Sequence, residues 1–84
     1  MSEPIAATVK AYILDAFLPG ADAAELTDDT PLISEGILDS LATVRLVTFL
    51  EEHYNIEVAA YEANADNLDS ITLIANLVRA KLPV

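Results

Sequence analysis

Gly36-Ile37-Leu38-Asp39-Ser40-Leu41, running on through Ala42-Thr43-Val44-Arg45-Leu46-Val47-Thr48-Phe49-Leu50-Glu51-Glu52-His53-Tyr54, is the stretch that decides how this chain folds. A glycine turn and two apolar residues lead into an aspartate, a residue type that caps helices by accepting a free first-turn amide. Apolar residues then recur with helical period, which predicts a helix from about Ser40 to Tyr54. At about 100° per residue, Leu46, Val47, Phe49, Leu50 and Tyr54 gather on one side as its buried face. Glu52, Arg45, Thr48 and Glu51 fall within roughly 80° of Leu41, which therefore stands in the middle of the polar face with Val44 at its edge. Single exposed leucines are common, so the weight here comes from the neighbouring serine. An apolar pair off the core face, beside a serine in the first helical turn, reads as a docking surface.

Upstream, Ile5, Val9, Tyr12, Ile13, Ala16 and Phe17 recur at helical spacing and predict a first helix, with Pro4 in its first turn and Leu18-Pro19-Gly20 ending it. From there to Leu38 runs a connection of about 20 residues, long for a small domain. Pro19-Gly20, Asp28-Asp29-Thr30-Pro31 and Glu35-Gly36 mark its turns, and Ala23 to Leu26 suits a brief helical turn. Leu26, Leu32, Ile33, Ile37 and Leu38 are its anchors to the core. An ordered loop of that length generally presents a site. Downstream, Ile56 to Leu68 keeps no sustained period; a helical turn is expected over Val58 to Glu62 and a bend over Asn64 to Asn67. The last helix opens at Asp69 or Ser70, has Ile71, Ile74, Ala75, Val78 and Leu82 as its inner stripe, and ends at Pro83. No segment alternates with period two. The expected fold is all-α: a bundle of three main helices and one short helix, with a long loop between the first two.

The chain has 84 residues, enough for a single domain over residues 1–84 and too few for two workable cores. Its hydrophobic content of 54% argues against disorder, and the absence of cysteine removes disulfides and thiol chemistry of its own. The formal net charge is −10, and Arg45 is the only lysine or arginine between Lys10 and Arg79. Such a surface repels nucleic acid and anionic membranes and steers the chain toward basic patches on enzymes, although acidity also serves solubility. No apolar run is long enough to span a bilayer, and Glu3 stands where a signal peptide would be basic. A cytoplasmic monomer is expected.

Asp69-Ser70-Ile71 repeats the Asp-Ser-apolar pattern at the start of another amphipathic stretch, so capping chemistry alone produces the triplet. There Ile71 belongs to the inner stripe and Ser70 reads as a capping serine. Ser40 differs by its long upstream loop, its Gly36 turn and the outward Leu41. A serine hydrolase would need a base at Ser40, but His53, the only histidine, lies roughly 20 Å along the same helix. No enzyme activity is expected. Asp28-Asp29, Glu35 and Asp39 lack the spacing of a calcium loop, and no metal site is expected.

Asp39-Ser40-Leu41, with Val44, Leu46, Val47, Leu50 and Glu51-Glu52 in register, resembles the attachment motif and second helix of acyl carrier proteins. Leu32 through Glu52 is similar to that family's loop and second helix. Asn67-Leu68-Asp69-Ser70-Ile71 resembles the Asn-Phe-x-Ser-Ile pattern that opens the last helix of many free-standing carriers. The resemblance covers nearly the whole chain. It implies a four-helix bundle and a 4′-phosphopantetheine arm on Ser40, with Asp39 as its motif partner, donated from coenzyme A by a Mg²⁺-dependent phosphopantetheinyl transferase. It further implies an acyl- or aminoacyl-activating ligase, downstream acyl-transferring enzymes, and a docking face of Leu41, Val44, Arg45, Thr48, Glu51 and Glu52. Fatty-acid-synthesis carriers usually have acidic residues at the positions of Ala42 and Arg45 and a methionine at that of Thr48. Aminoacyl and D-alanyl carriers, served by adenylating ligases, resemble this chain more closely. The competing expectation is an unmodified acidic helical interaction module.

Overall fold

A computed structural model describes residues 5–18, 20 and 26–82. Among the described residues, four α-helices follow one another: α1 (Ile5–Phe17), α2 (Ser40–Tyr54), α3 (Ala65–Leu68) and α4 (Ile71–Lys81), with a 3₁₀ turn at Ala60–Glu62 before α3. Among the described residues there is no strand. The all-α expectation and the bounds of α2 agree with the sequence reading; the proposed turn over Ala23 to Leu26 falls mostly outside the described residues.

One apolar core joins the elements. Val9 and Ile13 of α1, Leu46 and Leu50 of α2, Leu68 of α3, and Ile71, Ile74 and Val78 of α4 are fully buried together with Leu32 of the long loop. Each such side chain contributes about 1.5–3 kcal/mol relative to exposure. Helix α4 is the hub, packing against both α1 and α3. The core differs from the expected stripes in particular residues. Ala16 is exposed, and Tyr12 and Phe17 are only half-buried, because the fully buried line of α1 runs through Ile5, Val9 and Ile13. On α2, Val47, Phe49 and Tyr54 are half-buried, whereas Ala42 is buried. Leu77 joins the buried face of α4, and Leu82, placed in that stripe by its spacing, lies just beyond the helix and is half-buried. The expected bend over Asn64 to Asn67 is the short helix α3.

The long loop is moored to the start of α4. The Asp69 carboxylate accepts from the Ile33 amide (2.8 Å), the Ser34 amide (2.9 Å) and the Ser34 hydroxyl (2.9 Å), while its carbonyl accepts from the Leu32 amide (2.6 Å). The Thr72 amide donates to the Asp28 carbonyl at 3.1 Å. Within the loop, Leu38 donates to Leu32 O (3.0 Å), and the turn between them closes with Gly36 donating to Ile33 O (3.0 Å). Gly36 has φ +79°, a conformation that side-chain-bearing residues rarely adopt. Buried Leu26, Leu32 and Leu38 hold the loop from within, and Ile33 and Ile37 pack on the core less deeply. Leu38 thereby delivers the chain to Asp39 and Ser40 in one defined place.

Helix α2 ends at Asn55, which takes the left-handed conformation (φ 55°) and donates its amide to Glu51 O. Asparagine tolerates that geometry better than most residues. At the end of α4, Leu82 is extended (φ −73°, ψ 138°), as the residue before a proline prefers.

Candidate functional site

Asp39 is the N-cap of α2. Its Oδ1 accepts from the Ala42 amide at 2.8 Å and its carbonyl from the Thr43 amide at 2.8 Å. With Asp39 as cap, Ser40 becomes the first helical residue, exposed, and its hydroxyl makes no hydrogen bond among the described residues. The amides of Ser40 and Leu41 precede the first intrahelical donor and are free to face an anion. Together with the partial positive charge of the helix end, they suit a phosphodiester on the Ser40 oxygen.

Ser70 provides the contrast. Its Oγ accepts from the Leu73 amide at 3.1 Å, making it the N-cap of α4, and Ile71 beside it is fully buried. Leu41, by contrast, is 62% exposed and Val44 61% exposed. The apolar pair off the core face is therefore real and adjoins Ser40.

Around that pair, Arg45, Thr48 and Glu52 are exposed, with the Thr48 hydroxyl donating to Val44 O at 2.9 Å. Arg45 makes no ion pair with Asp39 or Glu52, leaving its guanidinium presented outward. Glu51 is half-buried, and its Oε2 accepts from the Val58 amide at 2.9 Å, which ties the segment after α2 back to the helix. Glu51 thus has a side-chain contact beyond its own helix, unlike Thr48, whose bond stays within α2. Ala42 faces the core, so among the departures from the fatty-acid carrier pattern Arg45 and Thr48 are the ones at the surface.

An aromatic ladder borders this surface. Phe17 meets Tyr12 edge-on (centroids 5.6 Å), Tyr12 stacks on Phe49 (4.0 Å, interplanar 9°), and Phe49 stacks on His53 (5.1 Å). The Tyr12 hydroxyl donates to Arg45 O at 3.2 Å. A shallow cavity of about 170 Å³ lies between Phe17, Asp39, Leu41, Ala42 and Arg45, and another of about 340 Å³ is lined by Tyr12, Val44, Arg45, Thr48, Phe49 and Glu52. The i,i+4 spacing of Phe49 and His53 was legible in the sequence; the crossing from Phe49 to Tyr12 depends on how α1 meets α2. His53 stays on α2 with Ser40, out of reach for hydroxyl activation.

The loop-holding role of Asp69 has no signal in the sequence, where the residue stands only as part of the pattern that opens the last helix. Hydrogen bonds from the Ser34 amide and hydroxyl, and then from the Ile33 amide, hold its carboxyl below the usual carboxylate range. Glu62 is lowered as well, first by its bond to Lys81 (2.8 Å) and then by the Ala59 amide (2.9 Å). Among the described residues, no group of three or more histidines, cysteines or carboxylates is placed to hold a metal ion, and no helix is long and apolar enough to cross a membrane.

Comparison with known proteins bears on the same region. D-alanyl carrier proteins of Streptococcus pyogenes serotypes M5 and M1 are 40% identical over 53 residues, covering 63% of this chain and 66% of theirs. The matched segment is thus about two thirds of those relatives' length. A chain from a crystal structure of an FAD-dependent dehydrogenase superposes with a TM-score of 0.75 at 31% identity, over 83% of this chain and 97% of that one. The family model for a phosphopantetheine attachment site matches residues 16–78, a span that takes in the loop, the capped start of α2 and most of α4. By that match, and by a fold and helix start that suit the modification, the chain belongs to the phosphopantetheine-attachment family, whose domain bears 4′-phosphopantetheine covalently.

Proposed function

We propose that Ser40 holds the 4′-phosphopantetheine arm and that this chain carries an aminoacyl or related acyl group as a thioester on it. The observation that carries the reading is the contrast between two serines: Ser70 spends its oxygen on a helix cap, whereas Asp39 caps α2 and leaves the Ser40 hydroxyl exposed. In attachment, the Ser40 oxygen bonds to the β-phosphorus of coenzyme A and the phosphoanhydride bond breaks. Adenosine 3′,5′-bisphosphate departs, and the serine proton passes to a base of the transferase, which also holds the Mg²⁺. The bound arm supplies the thiol that this cysteine-free chain lacks. Ser40 and Asp39 orient the attachment point, and the chain performs no turnover of its own.

Leu41 and Val44 form the docking face, with Arg45, Thr48 and Glu52 around them and Glu51 at its inner edge. A phosphopantetheinyl transferase, an activating ligase and downstream acyl-transferring enzymes engage it in turn, and tethering raises the local concentration of cargo at each. The D-alanyl carrier relatives support an amino acid as cargo. Dependence on coenzyme A and on an adenylating ligase supports work in the cytoplasm.

Intact mass after incubation with coenzyme A, Mg²⁺ and a broad-specificity transferase tests the attachment. Wild type and Ser70→Ala should each gain one phosphopantetheine, and Ser40→Ala none. No gain on folded wild type would point to an unmodified interaction module centred on Leu41. Loading of the armed protein by a D-alanine-activating ligase, compared with ligases for other amino acids, tests the cargo.

A further inference from the structure

The geometry points to Asp69 as a positioning residue for Ser40: its carboxylate, at the start of α4 rather than of α2, sets the loop that presents the serine. The inference rests on Ser40 being the site that a transferase engages. Four hydrogen bonds from the loop meet at this one residue, three on its side-chain oxygens from Ile33 and Ser34 and one on its carbonyl from Leu32. The path to the site is short. Leu32, held by Asp69, accepts from the Leu38 amide at 3.0 Å, and Leu38 is followed directly by the cap Asp39 and by Ser40.

Both ends of that path are buried, with Leu32 at 0% and Leu38 at 2% exposure, while Ser34, Glu35 and Gly36 between them are exposed. The exposed span has little apolar contact to hold it, so its geometry depends on the turn bonds and on Asp69. Two neighbouring amides and a hydroxyl converge on one carboxylate, and a side chain without an oxygen acceptor leaves both amides unpaired. Nothing about Asp69 touches the reacting atoms. Its effect is on the fraction of molecules in which residues 32–38 have the arrangement a transferase recognises. If release of the clamp reduces that fraction to about one in ten, the apparent KM for the carrier rises about tenfold with kcat little changed.

The experiment compares Asp69→Ala, Asp69→Asn, Ser34→Ala and Ser70→Ala with wild type. Ser70→Ala removes a cap from the same helix start and controls for simple loss of stability. Amide hydrogen exchange on unmodified protein is the first readout, at a temperature where all variants are folded. Asp69→Ala should speed exchange at Ser34, Leu38 and Ala42 at least tenfold more than Ser70→Ala does. Transfer kinetics are the second readout: KM should rise about tenfold in Asp69→Ala, less in Ser34→Ala, and stay near wild type in Asp69→Asn, which keeps an acceptor for both amides, and in Ser70→Ala. Unchanged Leu38 and Ala42 exchange in Asp69→Ala overturns the inference, whether or not an arm is transferred. So does an equal rise of KM in Ser70→Ala. Failure of wild type to take the arm at Ser40 while the exchange result holds would instead overturn the attachment reading and leave Asp69 as the determinant of the loop alone.

Discussion

Asp39-Ser40-Leu41 and Asp69-Ser70-Ile71 share a pattern and begin two helices, yet they enter those helices one residue out of frame. At the first, aspartate is the N-cap, serine the first helical residue and leucine the second; at the second, serine is the N-cap and isoleucine the first helical residue. One residue is about 100° of helix, enough to turn the apolar member from solvent to core. Leu41 is accordingly exposed and Ile71 fully buried. The reason for the shift lies in the loop. Asp69 has its carboxylate engaged by Ile33 and Ser34, so Ser70 does the capping; Asp39 has no such claimant, caps the helix itself and leaves Ser40 free. The same local chemistry yields a structural junction in one place and an exposed, uncommitted serine hydroxyl in the other, according to what packs against the aspartate.

Substitutions at matched positions of the two triplets should therefore behave oppositely. The largest difference concerns the apolar residues. Ile71→Ala should lower the unfolding free energy by about 2–5 kcal/mol, and Leu41→Ala by less than about 0.5 kcal/mol, in urea denaturation of the unmodified protein. Similar costs for the two would mean that Leu41 is covered in solution and would break the comparison. Leu41→Ala should instead weaken engagement by the activating ligase by about 1 kcal/mol or more, read as a higher KM with unchanged folding.

Next come the caps. Asp39→Ala and Ser70→Ala should each cost about 1 kcal/mol, within the range of about 0.5–2 for lost N-caps, while Ser40→Ala should cost almost nothing in the same denaturation series. A costly Ser40→Ala would show that the hydroxyl is engaged and would erase the distinction between the serines.

The smallest expected effect is the acid response. The carboxyls of Asp69 and Glu62 are held below their ordinary values in the folded chain, so the unfolded chain binds protons more readily. Their stabilisation is complete above the unfolded values of about 4 and is lost as pH falls through the lowered folded values. Thermal midpoints followed from pH 6 down to about pH 3 should thus fall, and less so in Asp69→Asn. An unchanged acid slope in that variant would show that the loop clamp contributes no proton linkage.

Much of this molecule was legible beforehand because it depends on local periodicity. The bounds of α2, the outward Leu41 and Val44, and the capping roles of Asp39 and Ser70 follow from helical spacing and cap preference, and the anchoring of the loop by Leu26, Leu32 and Leu38 from isolated apolar residues in a polar stretch. Misplaced residues lie at the margins of the stripes. Ala16, Ala42 and Leu77 sit where a rotation of tens of degrees decides burial, and that rotation is set by the neighbouring helix.

By itself the sequence determined an all-helical chain, the place where its second helix begins, and a serine in the first helical turn beside an unburied apolar pair, because hydrophobic period and capping act over a few residues. Only the tertiary structure decided that Asp69 serves the loop rather than its own helix, that Tyr12 stacks on Phe49, and that Glu51 holds the Val58 amide. Those contacts join residues that packing brings together: an aspartate with amides more than 30 positions away, an aromatic ring of one helix with that of another, a carboxylate with the backbone beyond its own helix. No local pattern records such partners, since each depends on the angle and depth at which whole helices meet the core.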